Sequence, residues 1–213
     1  MVTLCHAVKG GSGTTVVCCG IALSNDRPTL LVDLDGDLDA ALGTVDTDRP
    51  GVGDWLRTDL PTDRLDELTI DVTTRVSLIA RGATPTGDLD RWRELGEWMA
   101  AWEEERSGEV VIDTGTRALP VPFIESCPNR LLVTRACYLG LRRIGSLPVA
   151  PTGVVHVVEP GRTLAARDIE RSCGASIVAT VPWDPNVARA VDAGLLASRR
   201  IPRVLRRGLR RVA

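Results

Sequence analysis

The chain has 213 residues, 44% of them hydrophobic, and a net charge of −2, which suits one domain with one extended core better than two domains. No stretch reaches the roughly 18 consecutive apolar residues of a membrane span, and the Met1 end lacks a basic segment followed by an apolar run with a cleavage site, so a cytoplasmic protein is expected. The six cysteines, at 5, 18, 19, 127, 137 and 173, form no C-x-x-C pair and have no His-rich neighbours, which excludes a zinc ribbon or disulfide framework and predicts small buried apolar side chains.

In chain order, continuous apolar runs of strand length fall at Val2 to Val8, Thr29 to Val32, Val76 to Ala80, Val110 to Ile112, Leu131 to Thr134, Val154 to Val158 and Ile177 to Val181. Helical patterns lie between most of them: Thr14 to Ser24, Leu89 to Arg106, Leu139 to Ser146, Thr163 to Cys173 and Asn186 to Ala193. Strands apolar on both faces and alternating with helices predict an α/β fold, a doubly wound and mostly parallel sheet with helices on both faces. The stretch from Asp46 to Thr74, rich in Asp, Thr, Arg and Pro, reads as a surface excursion. Trp92, Trp98 and Trp102 form a helical stripe suited to packing on the sheet. His6 and His156, inside strands, read as packed, hydrogen-bonded histidines.

The chemistry concentrates at strand ends. After the first run comes "KGGSGTT", where Gly10, Gly11 and Gly13 allow backbone to approach an anion, and the following helix start offers unpaired N–H groups and a positive dipole end. Ser12, Thr14 and Thr15 complete the loop, with the Thr15 hydroxyl where a magnesium ligand belongs. The chain contains 25 Arg and a single Lys, Lys9, at the mouth of this loop, where a compact ammonium and a planar guanidinium are not equivalent. Two further runs end in acids: "LLVDLDGD" gives Asp33 and Asp35, and "VVIDTG" gives Asp113. Ligands of open parallel sheets gather at such carboxyl ends.

These motifs resemble the MinD/ParA group of P-loop ATPases, whose deviant Walker A loop reads K-G-G-x-G-K-T/S. Lys9, Gly10, Gly11, Gly13 and Thr15 match it, "VDLDGD" is similar to the group's D-x-D, "VVIDTG" to its Walker B strand, and "VPWDPNVARAVDAG" to its V-P-x-D segment, which places Pro182 and Asp184 by the adenine. Together they run from residue 2 to about residue 196, and the compact length and Arg bias look like the CpaE/TadZ-like members. The resemblance implies ATP and Mg2+ as ligands, a homodimer closed by ATP, and a role in placing cell-division, partitioning or pilus components with an unidentified protein partner. It implies that Lys9 reaches across to the partner's site, that Asp35 helps position the attacking water, and that Thr15, Asp33 and Asp113 surround the metal. The chain departs from the pattern at Thr14, where the group has a second lysine, and at Gly115, where many members have Pro. Backbone alone can still cradle phosphate, so ATP binding with slow hydrolysis is expected, or a pseudo-ATPase scaffold acting through protein contacts. Arg135 and Arg162, after strand ends, are candidates to replace the lost charge.

The last 15 residues carry seven Arg and no acid, which moves the net charge of the preceding 198 from −2 to −9. The reading is therefore an ATPase domain over 1–198 and a basic amphipathic tail over 199–213. Ile201, Val204, Leu205, Gly208, Leu209 and Val212 share one helical face, with Arg203, Arg206, Arg207, Arg210 and Arg211 opposite. MinD-like proteins end in a similar helix that lies on the membrane, which implies that Val204, Leu205 and Leu209 enter an anionic leaflet on the inner face while Arg206 and Arg207 meet its headgroups. Binding of nucleic acid by the arginines, and packing on the acidic body, are the other two readings.

Overall fold

The computed structural model describes residues 1–44, 49–197 and 202–212. Its elements run β1 (Val2–His6), α1 (Thr14–Ser24), β2 (Thr29–Asp33), α2 (Leu38–Leu42), α3 (Val52–Trp55), α4 (Arg64–Leu68), β3 (Thr69–Asp71), β4 (Val76–Ile79), α5 (Leu89–Arg106) and β5 (Glu109–Asp113). There follow α6 (Val121–Ser126), β6 (Asn129–Arg135), α7 (Tyr138–Ile144), β7 (Gly153–Val158), α8 (Ala166–Cys173), β8 (Ile177–Pro182), α9 (Pro185–Asp192) and α10 (Arg203–Leu209). All seven expected strands are present. They form one sheet of eight in the order β3-β4-β2-β5-β1-β6-β7-β8, in which only β3 runs antiparallel. Chain order reverses about β1, whose neighbours are β5 and β6, so the carboxyl ends of β1, β2 and β5 meet where such sheets bind ligands.

The continuous apolar runs follow from cover on both faces. Cys5, Leu31, Val111, Val133 and Val155 turn to one side with α1, and Leu4, Leu30, Val32, Val110 and Ile112 turn to the other with α5. On that second face Trp92, Trp98 and Trp102 are buried as expected, Trp92 meeting Phe123 edge-on at 4.9 Å between ring centres. A smaller cluster beside it joins Leu132, Val154, Ile144 and Ile169 under α7 and α8. Five of the cysteines are buried and all six are free thiols. His6 and His156 are packed into their strands, but both ring nitrogens of His6 and Nε2 of His156 lack protein partners, so the hydrogen bonds expected for them are absent. Burial, with Arg130 adding to it, pushes the His6 pKa down to about 4, which keeps that ring neutral.

The tail does not stand apart. Ile201 and the proposed 198/199 boundary lie outside the described residues, but α10 packs against α1 and β8, with Leu205 1% and Leu209 0% exposed. Gly20 makes this possible: a Cβ there would sit 2.4 Å from Leu209 Cδ1. The segment "TTVVCCGIALS" is apolar on every side because α1 is covered by the sheet below and α10 above. The outward membrane face expected of Leu205 and Leu209 is corrected accordingly: both side chains are spent on the core, Val204 is half-buried against it, and Arg206 and Arg207 face solvent.

Candidate functional site

The loop after β1 is shaped by its glycines. Gly11 and Gly13 take φ of 75° and 96°, left-handed values that strain any L side chain, and Gly13 caps α1 while its carbonyl accepts from the Val17 N–H at 2.9 Å. The Ser12 hydroxyl donates to the Lys9 carbonyl at 2.7 Å, closing the loop on itself. Two ladder-like bonds tie this region to the strand beside it: the Ala7 N–H donates to the Gly115 carbonyl at 2.7 Å and the Thr114 N–H to the Cys5 carbonyl at 3.1 Å.

A cradle of about 230 Å³ results, lined by Ala7, Lys9 through Thr15, Asp35, Asp37, Gly115 and Thr116. A more apolar cavity of about 410 Å³ adjoins it, walled by Val157, Pro182, Trp183, Asp184 and Val187. Gly11 and Gly13 line both. One elongated ligand with a polyanionic end and a flat apolar end fits this pair. Pro182 closes β8, and the Asp184 carboxylate caps α9 by accepting from the Asn186 N–H at 2.7 Å, so its place in the wall is fixed by its own helix.

The acids divide in role. Asp33, expected beside the metal, is committed to its own turn: Oδ1 accepts from the N–H groups of Asp35 (3.0 Å) and Gly36 (2.6 Å), and Oδ2 from that of Leu38 (3.0 Å). It is fully buried, and burial pushes its pKa up to about 6 while those three bonds hold it down. Those bonds shape the turn that carries Asp35 and Asp37 to the cradle.

Asp113 pairs in register with Asp33 across β2 and β5 and is equally buried. Its Oδ1 accepts from the Gly115 N–H at 3.0 Å, whereas Oδ2 makes no well-formed hydrogen bond. Burial pushes its pKa up to about 7, the Thr15 hydroxyl pulls part of that back, and the charge of Asp33 adds to it. An unpartnered carboxylate oxygen beside a loop hydroxyl fits a magnesium ion, which takes one or two protein oxygens and fills its shell with water and phosphate. Among the described residues no group of three His, Cys, Asp or Glu side chains could hold a metal unaided.

Asp35 lies against the backbone of Gly115, where a Cβ would come within 2.0 Å of its Oδ2. Gly115 has φ of 51°, so a proline, restricted to negative φ, does not fit this conformation. Two arginines that the sequence reading missed converge on Asp35. Arg81 Nη1 donates to its carbonyl at 2.7 Å, and Arg117 lies 3.6 Å from Oδ1 through Nε and 3.4 Å from the carbonyl through Nη2. Arg81 lies two residues past the end of β4, so a search just beyond strand ends would have found it. Of the two arginines suggested as substitutes for the lost lysine, Arg135 borders the larger cavity and pairs with Glu159 at 3.7 Å, while Arg162 pairs with the same Glu159 at 2.6 Å. Neither lines the cradle. Thr14 is buried in the cradle wall at 6% exposure.

No protein-family model matches the sequence, and neither does the sequence of any curated protein. Solved structures do match. The MinD cell division protein of Aquifex aeolicus superposes with a TM-score of 0.74 at 18% identity, covering 99% of this chain and 95% of that one. The septum site-determining protein MinD of Pyrococcus horikoshii OT3, complexed with Mg-ADP, gives 0.72 at 19% over 100% and 96%. The ParA family ATPase of Chlorobium tepidum TLS gives 0.68 at 18% over 96% and 97%. With the order of its strands, the glycine-rich loop after β1 and near-complete coverage in both directions, the chain has the fold of the MinD/ParA P-loop ATPases.

Proposed function

We propose that the chain is a Mg–ATP-binding switch of the positioning type, which closes into a homodimer around ATP and hydrolyses it slowly. The carrying observation is the continuity of the loop cradle with the apolar cavity through Gly11 and Gly13, which accommodates triphosphate at one end and base at the other. Gly10 to Thr15 offer backbone N–H groups to the phosphates, and Pro182 and Asp184 bound the base. Thr15 and Asp113 would hold Mg2+, which would supply positive charge to offset that of the phosphates. Asp35 orients water at the terminal phosphate. Exposed Lys9 is the one cation lining the cradle among the described residues and is free to act on a second copy.

Cargo among division, partitioning or pilus components is engaged through a protein partner. With Leu205 and Leu209 docked, only the arginine side of α10 is available for an anionic membrane or nucleic acid. A reading without hydrolysis, as a scaffold, draws support from the uncharged Thr14 in the cradle wall. Affinities for Mg–ATP and Mg–ADP, with the oligomeric state in each, are the test. Binding of ATP with dimer formation supports the switch; no binding at millimolar ATP and Mg2+ leaves the scaffold.

A further inference from the structure

The cradle is short of positive charge. Thr14 brings none, and among the described residues lining it Lys9 stands against Asp35 and Asp37. We propose that Arg117 supplies the missing charge within the subunit, its guanidinium exchanging Asp35 for the terminal phosphate when a nucleoside triphosphate binds. This rests on the reading of the cradle as a triphosphate site and adds to it a discriminating residue.

Three observations carry it. Arg117 follows Thr116, which lines the cradle, and its present partner Asp35 lines it too, so the guanidinium is one carboxylate away from the phosphate position. Its hold on Asp35 is loose: contacts of 3.4 and 3.6 Å lie beyond the 2.7–2.9 Å of a strong charge-assisted bond, and Nε is buried without a hydrogen bond. Finally, the side chain borders a separate cavity of about 240 Å³ shared with Leu119, Leu147 and Val149, so it is not wedged in place. Arg81 behaves differently. At 2.7 Å from the Asp35 carbonyl, with its guanidinium packed over Gly36, it keeps the Asp35 turn anchored after Arg117 has left.

Calorimetric titration with Mg–ADP and with a non-hydrolysable Mg–ATP analogue tests this on wild type, Arg117→Ala, Thr14→Lys and the double variant. Arg117→Ala should weaken the triphosphate analogue about 10- to 100-fold, the span of one charge-assisted bond, and leave Mg–ADP within about threefold. In the Thr14→Lys background the same substitution should cost less than about threefold, because the lysine already supplies the charge. Arg117→Gln, which keeps most of the stem, replaces Arg117→Ala if the latter melts early. Equal losses for both nucleotides, or an undiminished loss beside Lys at position 14, overturn the assignment to Arg117 alone. A wild-type chain that binds neither nucleotide overturns the triphosphate site itself.

Discussion

Asp113→Asn should stabilise the nucleotide-free protein at alkaline pH. Asp113 is buried, its pKa rises from 3.8 to about 7, and its Oδ2 makes no well-formed hydrogen bond. The folded chain thus binds the Asp113 proton more tightly than the unfolded chain. The associated stability is fully present below the unfolded value and is lost as pH rises through about 7. A shift of roughly three units corresponds to about 4 kcal/mol above pH 7. Asparagine keeps an oxygen for the Gly115 N–H and carries no charge, so it should recover on the order of that amount at pH 8, roughly 10 °C in melting temperature for a chain of this size. By pH 4 the difference should vanish. Thermal melts of both proteins between pH 4 and pH 8 without nucleotide measure it, and Mg–ATP should then stabilise the wild type more than the variant. A variant that melts no higher at pH 8, or a difference that does not change with pH, refutes the account of Asp113 as a strained cation site.

Gly208→Ala should destabilise the fold although alanine gains about 1 kcal/mol of helix propensity, because its Cβ would sit 2.6 Å from the Thr180 carbonyl oxygen and such overpacking costs about 1–3 kcal/mol; a raised melting temperature would contradict the contact. Leu205→Glu, on a residue 1% exposed, should cost at least the 2–5 kcal/mol of truncating a buried leucine, seen as early melting before any lipid is added. An unchanged melt combined with lost binding to anionic vesicles would restore the membrane role of the apolar stripe. Lys9→Ala should reduce ATP-dependent dimerisation more than nucleotide affinity, read by light scattering and calorimetry on the same samples; an unchanged monomer–dimer equilibrium removes the case for Lys9 acting between subunits.

The central strands were legible because burial on two faces leaves a continuous apolar run, a signal that survives without knowledge of partners. β3 was not: Thr69 and Ile70 are half-buried, Asp71 is exposed, and three residues on an antiparallel edge give no period to read. α6 hides behind Pro122, acceptable only in a first turn. Spacing likewise brought Asp33, Asp35 and Asp113 to the carboxyl ends of central strands without saying which oxygens already accept hydrogen bonds, which the turn from Asp33 to Leu38 shows for Asp33. The tail is the instructive case. Its period placed the helix and its apolar face correctly, yet period records that a face is covered and not what covers it. The cover comes from α1, through an approach that Gly20 permits.

The position of α10 also bears on how the sheet ends. β8 is the last strand of the order, and an outermost strand exposes a row of unpaired peptide groups that invites pairing with another chain. Gly208 brings the backbone of α10 so close to Thr180 that a single methyl would collide with its carbonyl, and Arg203, Arg207 and Arg211 flank the groove between that helix and β8. At the opposite margin β3 is only three residues long. Among the described residues, one margin thus carries a helix with a charged fringe and the other a strand of three residues, so a further strand adding to the sheet would meet α10 at one side and find little length to pair with at the other.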